Sequence, residues 1–358
     1  MSIDFGPERW EQLREDARRW WAGELPRPLV QLTAPRDPGR AAPALPRVSR
    51  DTTSYDLAVT PEAIVDYVDY SLASQHYLGD AFPGFWPDFG PGVIAAFMGA
   101  EATPGDNTVW FHPRQKQGIG DIHFAFDGDN IWYQRMQAIN HAALERWQGQ
   151  VLTAMTDLGG NLDILSTFRP SEELLFDLYD DPDEVKRLTW EAHHVWWQYY
   201  DAFNAVLQPV NPGYSAWTSL YSETPYYILQ CDFAYMIGPE MFDEFVKPEL
   251  AATSDRLGNA FYHLDGAGQL PHLDSLLEIP SLKGVQWVPG DGAPSYEHWP
   301  QVYRKIRDAG KLVQLWTSMA SFDSLVEQVG SAAGFAVMLT DRNPSPSEID
   351  AFFSKYGL

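Results

Sequence analysis

The second half of the chain alternates short apolar stretches with helical segments, and this alternation limits its fold more than any other feature. The stretches lie at residues 227–232, 260–264, 284–288, 311–316 and 335–339. Strands that are each followed by a helix pack parallel in one sheet, with the helices as crossovers. A spacing of about 25 to 35 residues per unit favours a (β/α)₈ barrel. An open doubly wound sheet is the alternative, although no early strand is followed by a glycine-rich phosphate loop.

The first part of the chain is less regular and predicts an elaborated N-terminal region. The predicted elements are helices at 7–23, 61–78 and 136–156, strands at 29–33 and 162–166, and a hairpin within 107–129. Together with the second half they predict an α/β chain with a single TIM barrel at 61–358. Residues 1–60 would form an N-terminal helix and an irregular extension of that one domain.

Charge and cysteine content exclude several classes of function. The chain has 25 Lys and Arg against 49 Asp and Glu, a net charge of −24, which opposes binding to nucleic acids and to anionic membrane surfaces. Its one cysteine, Cys231, allows no internal disulfide and no zinc site with two thiolates. No apolar run is long enough to span a membrane and no secretory signal is visible, so we expect a cytoplasmic protein.

Polar residues follow the predicted strands at the end where barrels carry their active sites. Asp232 follows one strand, and His263 and Asp265 end the next. Side chains alternate along a strand, so His263 and Asp265 share a face at a separation of about 6–7 Å. They can act as an acid–base pair or bind one divalent metal such as zinc. We predict Asp232, His263 and Asp265 as catalytic residues, against the alternative that they cap or fill the barrel.

Several further side chains are candidates for binding a small-molecule substrate. They are Trp86, Tyr221, Glu223, Gln286, Trp287 and Trp316. Most lie in loops or at strand ends, where ligands are commonly bound. Flat aromatic rings beside carboxylates suit a sugar-like ring, whereas packing in the core or exposure in a loop is the structural alternative for each residue.

Three segments resemble the uroporphyrinogen decarboxylase-like superfamily, which includes corrinoid-linked methyltransferases. Residues 169–188 are similar to a family helix with a late Asp-Pro, here Asp181-Pro182. Residues 230–242 are similar to its strand, small-residue loop and Gly-Pro-Glu-x-Phe helix start, and residues 263–287 to its strand–helix–strand unit. The resemblance covers about residues 150–358. It implies a barrel enzyme that transfers methyl groups or decarboxylates, with a corrinoid protein as a possible partner.

The chain also departs from that family in two informative ways. The arginine-rich N-terminal segment of true uroporphyrinogen decarboxylases is missing, which argues against that substrate. The zinc-binding His-x-Cys of the family's methyltransferases becomes His263-Leu264-Asp265, and the last strands hold no cysteine. Alternatives therefore stay open: a metal-free hydrolase or lyase on a sugar-like ligand, a non-catalytic binding barrel, or a corrinoid-protein partner.

Overall fold

A computed structural model describes residues 3–45, 52–106 and 108–358 of the chain. Its helices are α1 (Pro7–Trp21), α2 (Pro61–Ala73), α3 (Ile94–Phe97), α4 (Ile131–Trp147), α5 (Asn161–Phe168), α6 (Ser171–Asp180), α7 (Pro182–Leu207), α8 (Pro239–Phe245), α9 (Lys247–Arg256), α10 (Leu273–Leu277), α11 (Pro300–Asp308), α12 (Met319–Val329) and α13 (Pro346–Tyr356). Its strands are β1 (Leu29–Pro35), β2 (Gln75–Gly79), β3 (Gly84–Phe85), β4 (Glu101–Pro104), β5 (Val109–His112), β6 (Leu152–Thr153), β7 (Tyr226–Leu229), β8 (Asn259–Asp265), β9 (Leu282–Val288), β10 (Leu312–Thr317) and β11 (Phe335–Leu339).

A mostly parallel sheet of seven strands forms the centre of the molecule, in the order β2-β1-β11-β10-β9-β8-β7. Strands β7 to β11 and β1 run parallel, and β2 pairs antiparallel with β1. The prediction of a mixed α/β fold with parallel strands in the second half is therefore confirmed. The segment 1–60, predicted as an extension, contributes β1 to the interior of this sheet.

Shorter pairings lie beside the central sheet. Strands β3 and β6 pair in parallel, and Met155 forms a parallel bridge with Ala216. Within residues 3–45, 52–106 and 108–358, the observed pairings leave β2 and β7 as the outer strands of the seven, and these pairings neither show nor exclude closure into a barrel.

The predicted strand at 162–166 is wrong, because these residues form helix α5. Leu162, Ile164 and Leu165 belong to an apolar run that is too short to separate strand from helix by spacing alone. Gly160 permits the helix to begin where it does: a Cβ atom there would lie 2.1 Å from the Gln230 carbonyl oxygen. The chain therefore turns into α5 in close contact with the segment that follows β7.

Other differences lie at helix ends in the first half. The helix predicted at 136–156 ends at Trp147, because Gln148 and Gly149 adopt positive φ angles of 48° and 82°. The predicted hairpin is observed as the antiparallel pair β4 and β5, which begins before residue 107. Asn107 itself lies outside the described residues.

Helix α1 covers the amino ends of the parallel strands with a tryptophan-rich face. Trp10, Leu13, Ala17 and Trp20 recur at helical spacing and are all buried. The Trp20 ring stacks on Phe261 at 5.9 Å, and its indole N–H donates to the Phe335 carbonyl oxygen. This end of the sheet is therefore closed by packing, while the carboxyl ends of the strands stay open for a site.

None of the helices in the described part of the chain combines the length and the apolar character needed to cross a membrane.

Candidate active site

His263 and Asp265 lie together at the carboxyl end of β8, as their spacing predicts. His263 Nε2 is 3.8 Å from Asp265 Oδ2, and the two side chains are 12% and 45% exposed. The carboxylate therefore reaches water while the imidazole is largely enclosed. A histidine with one nitrogen directed at a carboxylate can pass a proton in either direction.

A row of glutamines holds the other side of the His263 ring. His263 pairs with Gln286 on β9, which pairs with Gln314 on β10, so the three side chains point to one face of the sheet. His263 Nδ1 donates to Gln286 Oε1 at 2.5 Å, Gln286 Nε2 donates to Gln314 Oε1 at 3.2 Å, and Gln314 Nε2 donates to the Thr218 carbonyl oxygen at 2.6 Å. Because Gln286 Oε1 can only accept, the row fixes the proton on Nδ1 and leaves Nε2 towards Asp265.

The charge state of His263 is set by opposing effects. Burial by itself lowers the pKa of the imidazole, but the contacts with Asp265 and Gln286 and the nearby charge of Asp232 favour the protonated form. The net result is a raised pKa. The ring is therefore prepared to receive a proton and to hold it near neutral pH.

Asp232 stands at the end of β7, facing His263 across the cavity, and its carboxylate is open to that space. The surrounding protein raises the pKa of Asp232 by removing part of its hydration, while His263 opposes that effect and Asp265 adds to it. The predicted trio Asp232, His263 and Asp265 is thus brought together, and Asp265 contributes to the raised pKa of both Asp232 and His263.

Two further carboxylates, Asp157 and Asp163, belong to the site and were missed from the sequence. Asp157 is 6% exposed, and burial raises its pKa to about 7. Asp163 stands in the first turn of α5, and burial followed by the charge of Asp232 raises its pKa to about 7. The signal was present in Thr156-Asp157-Leu158-Gly159-Gly160, where one residue separates a carboxylate from two glycines. Placing a strand at 162–166 concealed it.

Asp163 also fixes the backbone that carries Asp232. Its two carboxylate oxygens accept hydrogen bonds from the backbone N–H groups of Asp232 at 3.0 Å and Phe233 at 2.8 Å. Helix α5, which was not predicted at this position, therefore fixes the position of the Asp232 backbone in the site.

These groups surround a small cavity of about 250 Å³. Its lining consists of Trp86, Asp88, Pro91, Thr108, Asp157, Trp217, Gln230, Asp232, His263 and Asp265. The Trp217 ring meets the His263 ring edge to face at 5.0 Å. Gln230 is 5% exposed, and within the described part of the chain its Oε1 atom has no hydrogen-bond partner. The cavity therefore combines carboxylates, two indole rings and one unsatisfied amide oxygen.

A second, more open groove of about 720 Å³ adjoins this cavity and shares Asp265 with it. Tyr235, Gly266, Gly290 and Tyr296 are among its walls. Gly268 has no Cβ, and a Cβ there would lie 2.2 Å from the Tyr235 ring, so the glycine permits the ring to lie against this backbone. Asp265 is consequently accessible from two sides.

Five of the six predicted substrate-binding residues fall into two groups. Trp86 lines the cavity, Gln286 contacts His263, and Trp316 lies behind Trp217 with 6.3 Å between ring centroids. Tyr221 and Glu223 precede β7 and lie at the opposite end of the sheet. There Tyr221 donates to the Pro212 carbonyl oxygen, and Glu223 pairs with Arg14.

Trp287 is a separate case, because its strand position turns it away from the cavity. It pairs with Leu264, one residue beyond the His263–Gln286 pair, so its side chain points to the other face of the sheet. The ring is fully buried and packs against Trp299 at 5.3 Å.

The donor set offers only part of a metal site. Catalytic zinc is commonly held by three protein ligands. In the residues that the structure describes, no group of three or more His, Cys, Asp or Glu side chains is arranged to hold a metal ion. His263 and Asp265 alone would supply two donors. The residues present therefore do not fit a zinc site of that kind, and a metal at this pair stays a prediction.

Comparisons with known proteins bear on the fold. No protein-family model matches the chain, and no curated protein matches it in sequence. Among solved structures, it is similar to a methyltransferase from Methanosarcina mazei, with a TM-score of 0.59 and 13% sequence identity. That match covers 97% of this chain and 99% of the other. The chain therefore has a methyltransferase-like fold over nearly its whole length, including the first 150 residues that the sequence resemblance did not reach.

Proposed function

We propose that this chain is an enzyme that transfers a methyl group between two small reactants, with His263, Asp265 and Asp232 as its catalytic residues. The observation that carries the proposal is that Asp265 belongs both to the cavity beside His263 and to the adjoining groove. Two reactants held in these two spaces meet at the His263–Asp265 pair. The fold shared with a methyltransferase agrees with this reaction.

We also infer that the central sheet is part of the closed barrel that the sequence predicts. The β3–β6 pair and the bridge between Met155 and Ala216 supply parallel segments outside the seven strands. The Tyr227 hydroxyl on β7 accepts a hydrogen bond from the Leu158 backbone N–H at 2.7 Å, so the segment after β6 contacts the last strand of the sheet. These contacts support closure between β1 and β7.

The proposed chemistry places the proton at His263. The methyl acceptor is a protic group X–H, and the donor is a methylated compound whose bond to carbon breaks with both electrons left on the donor. The X–CH₃ bond forms as the X–H proton moves to His263 Nε2, and Asp265 then carries the proton to water. His263 Nδ1 keeps its own proton throughout, because Gln286 Oε1 accepts from it.

The acidic cavity favours methyl transfer over the decarboxylation that the family resemblance also implies. A substrate for decarboxylation carries a carboxylate, which Asp157, Asp232 and Asp265 would repel. A corrinoid protein as methyl donor remains a prediction from the resemblance, and the open groove next to Asp265 is the surface at which such a partner would present its methyl group.

A lyase or hydrolase acting on a sugar-like ligand is the second candidate. Its support is the pairing of the indole rings of Trp86 and Trp217 with carboxylates in one cavity. Glycoside cleavage uses two carboxyl groups of different pKa, one protonated and one ionised. In that reaction Asp157, whose pKa burial raises to about 7, would be the acid.

Methyl transfer can be tested with methylcobalamin as donor and small thiols as acceptors under anaerobic conditions. Heterolysis of the carbon–cobalt bond releases cob(I)alamin, which is followed by its absorbance, and the methyl thioether is followed by mass spectrometry. We expect turnover with the wild-type protein and a loss of at least about 100-fold in H263Q, since a general base commonly contributes that much.

The matched control is W287F, which alters an aromatic side chain of the adjacent strand on the face away from the cavity. It should keep the wild-type rate per folded molecule. Equal rates in wild type and H263Q would contradict the proposal. The absence of any methyl thioether, together with cleavage of aryl glycosides that depends on Asp157, would favour the second candidate instead.

A further inference from the structure

We propose that the cavity beside His263 binds a small organic cation, specifically a protonated amine whose N–H groups donate to the cavity wall. This inference rests on the proposed function, because it names the chemical class of one of the two reactants. Its support comes from the unsatisfied acceptor, from the charges of the lining and from the aromatic walls.

The first observation is the amide oxygen of Gln230. This residue lines the cavity and is 5% exposed, and its Oε1 atom has no hydrogen-bond partner among the residues that the structure describes. A buried acceptor without a donor is unfavourable, so such groups in folded proteins are commonly satisfied by protein, water or ligand. The unsatisfied Gln230 oxygen therefore favours a ligand that carries an N–H or O–H group.

The second observation is the charge around that oxygen. Asp88, Asp157, Asp232 and Asp265 line the same cavity, and within the described ranges no Lys or Arg does so. A protonated His263 would offset only one of these four carboxyl groups and leave the lining negative at pH 8. Carboxylates enclosed in protein interact strongly with a ligand charge because little water screens them. The lining therefore selects for a cation and against an anion.

The third observation is the aromatic wall. Trp86 and Trp217 both line the cavity, and indole is the aromatic ring that binds cations best. A cavity of about 250 Å³ limits the ligand to a small molecule. Alkyl groups of an amine would contact the indole rings while the N–H groups reach Gln230 and Asp232.

A neutral polyol could also donate to Gln230, but it would leave the carboxylates without a counter-charge. Binding experiments therefore need probes that separate charge from hydrogen bonding. Isopropylammonium carries both a positive charge and N–H donors. Tetramethylammonium carries the charge without a donor, and tert-butanol carries a donor without the charge.

Isothermal titration calorimetry of the full chain with these three probes at pH 8 tests the inference. We expect isopropylammonium to bind at least tenfold more tightly than tert-butanol, with tetramethylammonium between them. Equal affinity for isopropylammonium and tert-butanol, or tighter binding of tert-butanol, would overturn the inference. Binding is measured without turnover, so a protein that binds the cation but transfers no methyl group would contradict the proposed function alone.

Variants then assign the binding to this cavity. D232N should weaken isopropylammonium binding at least tenfold, and Q230M should abolish its advantage over tetramethylammonium. The control is D255N, which removes the same charge from the exposed surface of α9 and should leave all three affinities unchanged. Asp232 is open to the cavity, so D232N tests the site even if the Gln230 variant does not fold. Equal weakening in D232N and D255N would show that only the overall charge attracts the cation.

Discussion

Buried carboxylates lie at both ends of the central sheet, but the groups that contact them differ between the two ends. Before β1, Arg27 lies between Asp16 and Asp80, with guanidinium-to-carboxylate distances of 2.9 and 2.7 Å. Asp80 also accepts from the Val30 backbone N–H at 2.8 Å. At the carboxyl ends of the strands, Asp157 and Asp163 have only hydrogen bonds from backbone N–H groups among the described residues.

From this contrast we propose that the first cluster is structural and the second is functional. Removing one partner from a buried ion pair leaves an uncompensated charge, so the Arg27 cluster stabilises the fold only while it is complete. Carboxylates without a cation raise the free energy of the folded protein when they ionise, and such groups concentrate at functional sites. We therefore expect changes at the first cluster to affect stability and changes at the second to affect ligands and pH dependence.

The largest effect should come from R27M, which leaves Asp16 and Asp80 without their partner. Burial raises the pKa of Asp80 even with Arg27 present, so the charged form depends on the guanidinium. We expect the free energy of unfolding to fall by about 3–5 kcal/mol. Urea denaturation followed by circular dichroism measures it.

The control for R27M is R18M, which removes an exposed arginine of the same region that forms an ion pair with the exposed Glu15. It should unfold at the same urea concentration as the wild type. A loss in R27M no greater than that in R18M would mean that the two ends of the sheet do not differ in the way proposed.

The pH dependence of stability should report the unpaired carboxylates. Burial raises the pKa of Asp157 from 3.8 to about 7, so the folded chain binds a proton there that the unfolded chain has released. Stability must then fall as the pH rises from about 4 to 7, by up to about 1.4 kcal/mol per pH unit for each such group. D157N should remove the contribution of Asp157 to this pH dependence and leave that of Asp163. The variant should also be more stable than the wild type at pH 8.

Urea denaturation at pH 5, 6, 7 and 8 measures this slope. The asparagine keeps an oxygen that can accept from the Gly159 backbone N–H, as Asp157 Oδ1 does at 2.9 Å. D255N, with the same loss of charge at the surface, should retain the wild-type slope. If D157N also retains the wild-type slope, Asp157 is ionised in a stabilising environment. The carboxylates at the two ends of the sheet would then not differ in their effect on stability.

The central strands and the proximity of Asp232, His263 and Asp265 followed from the sequence because they depend on local patterns. Apolar runs of the right length predicted β8 to β11 within two residues, and alternation along β8 predicted that His263 and Asp265 share a face. Parallel strands end at the same edge of a sheet, which brought Asp232 to them. These inferences needed no knowledge of which residues pack against which.

The remaining residues depended on contacts between distant segments. Asp163 reaches Asp232 only because α5 is a helix seated against the turn after β7, and the short run at 162–166 could not reveal this. Trp287 was assigned to the site by its position at a strand end, but side-chain alternation places it on the outer face. Tyr221 and Glu223 lie at the amino end of β7, away from the cavity, because the strand starts after them.

The smallest effect on stability should come from D232N, which tests whether the open member of the acidic cluster is functional. Asp232 has a carboxylate open to the cavity, and the backbone contact with Asp163 persists in the variant, so we expect the free energy of unfolding to change by no more than about 0.5 kcal/mol. The pKa of His263 should fall, since the charge of Asp232 helps to raise it in the wild type. NMR titration of the imidazole protons measures this shift, with D255N as the control that leaves it unchanged. A loss of stability comparable to that of R27M, with an unaltered His263 titration, would make Asp232 a structural residue and remove the distinction between the two acidic clusters.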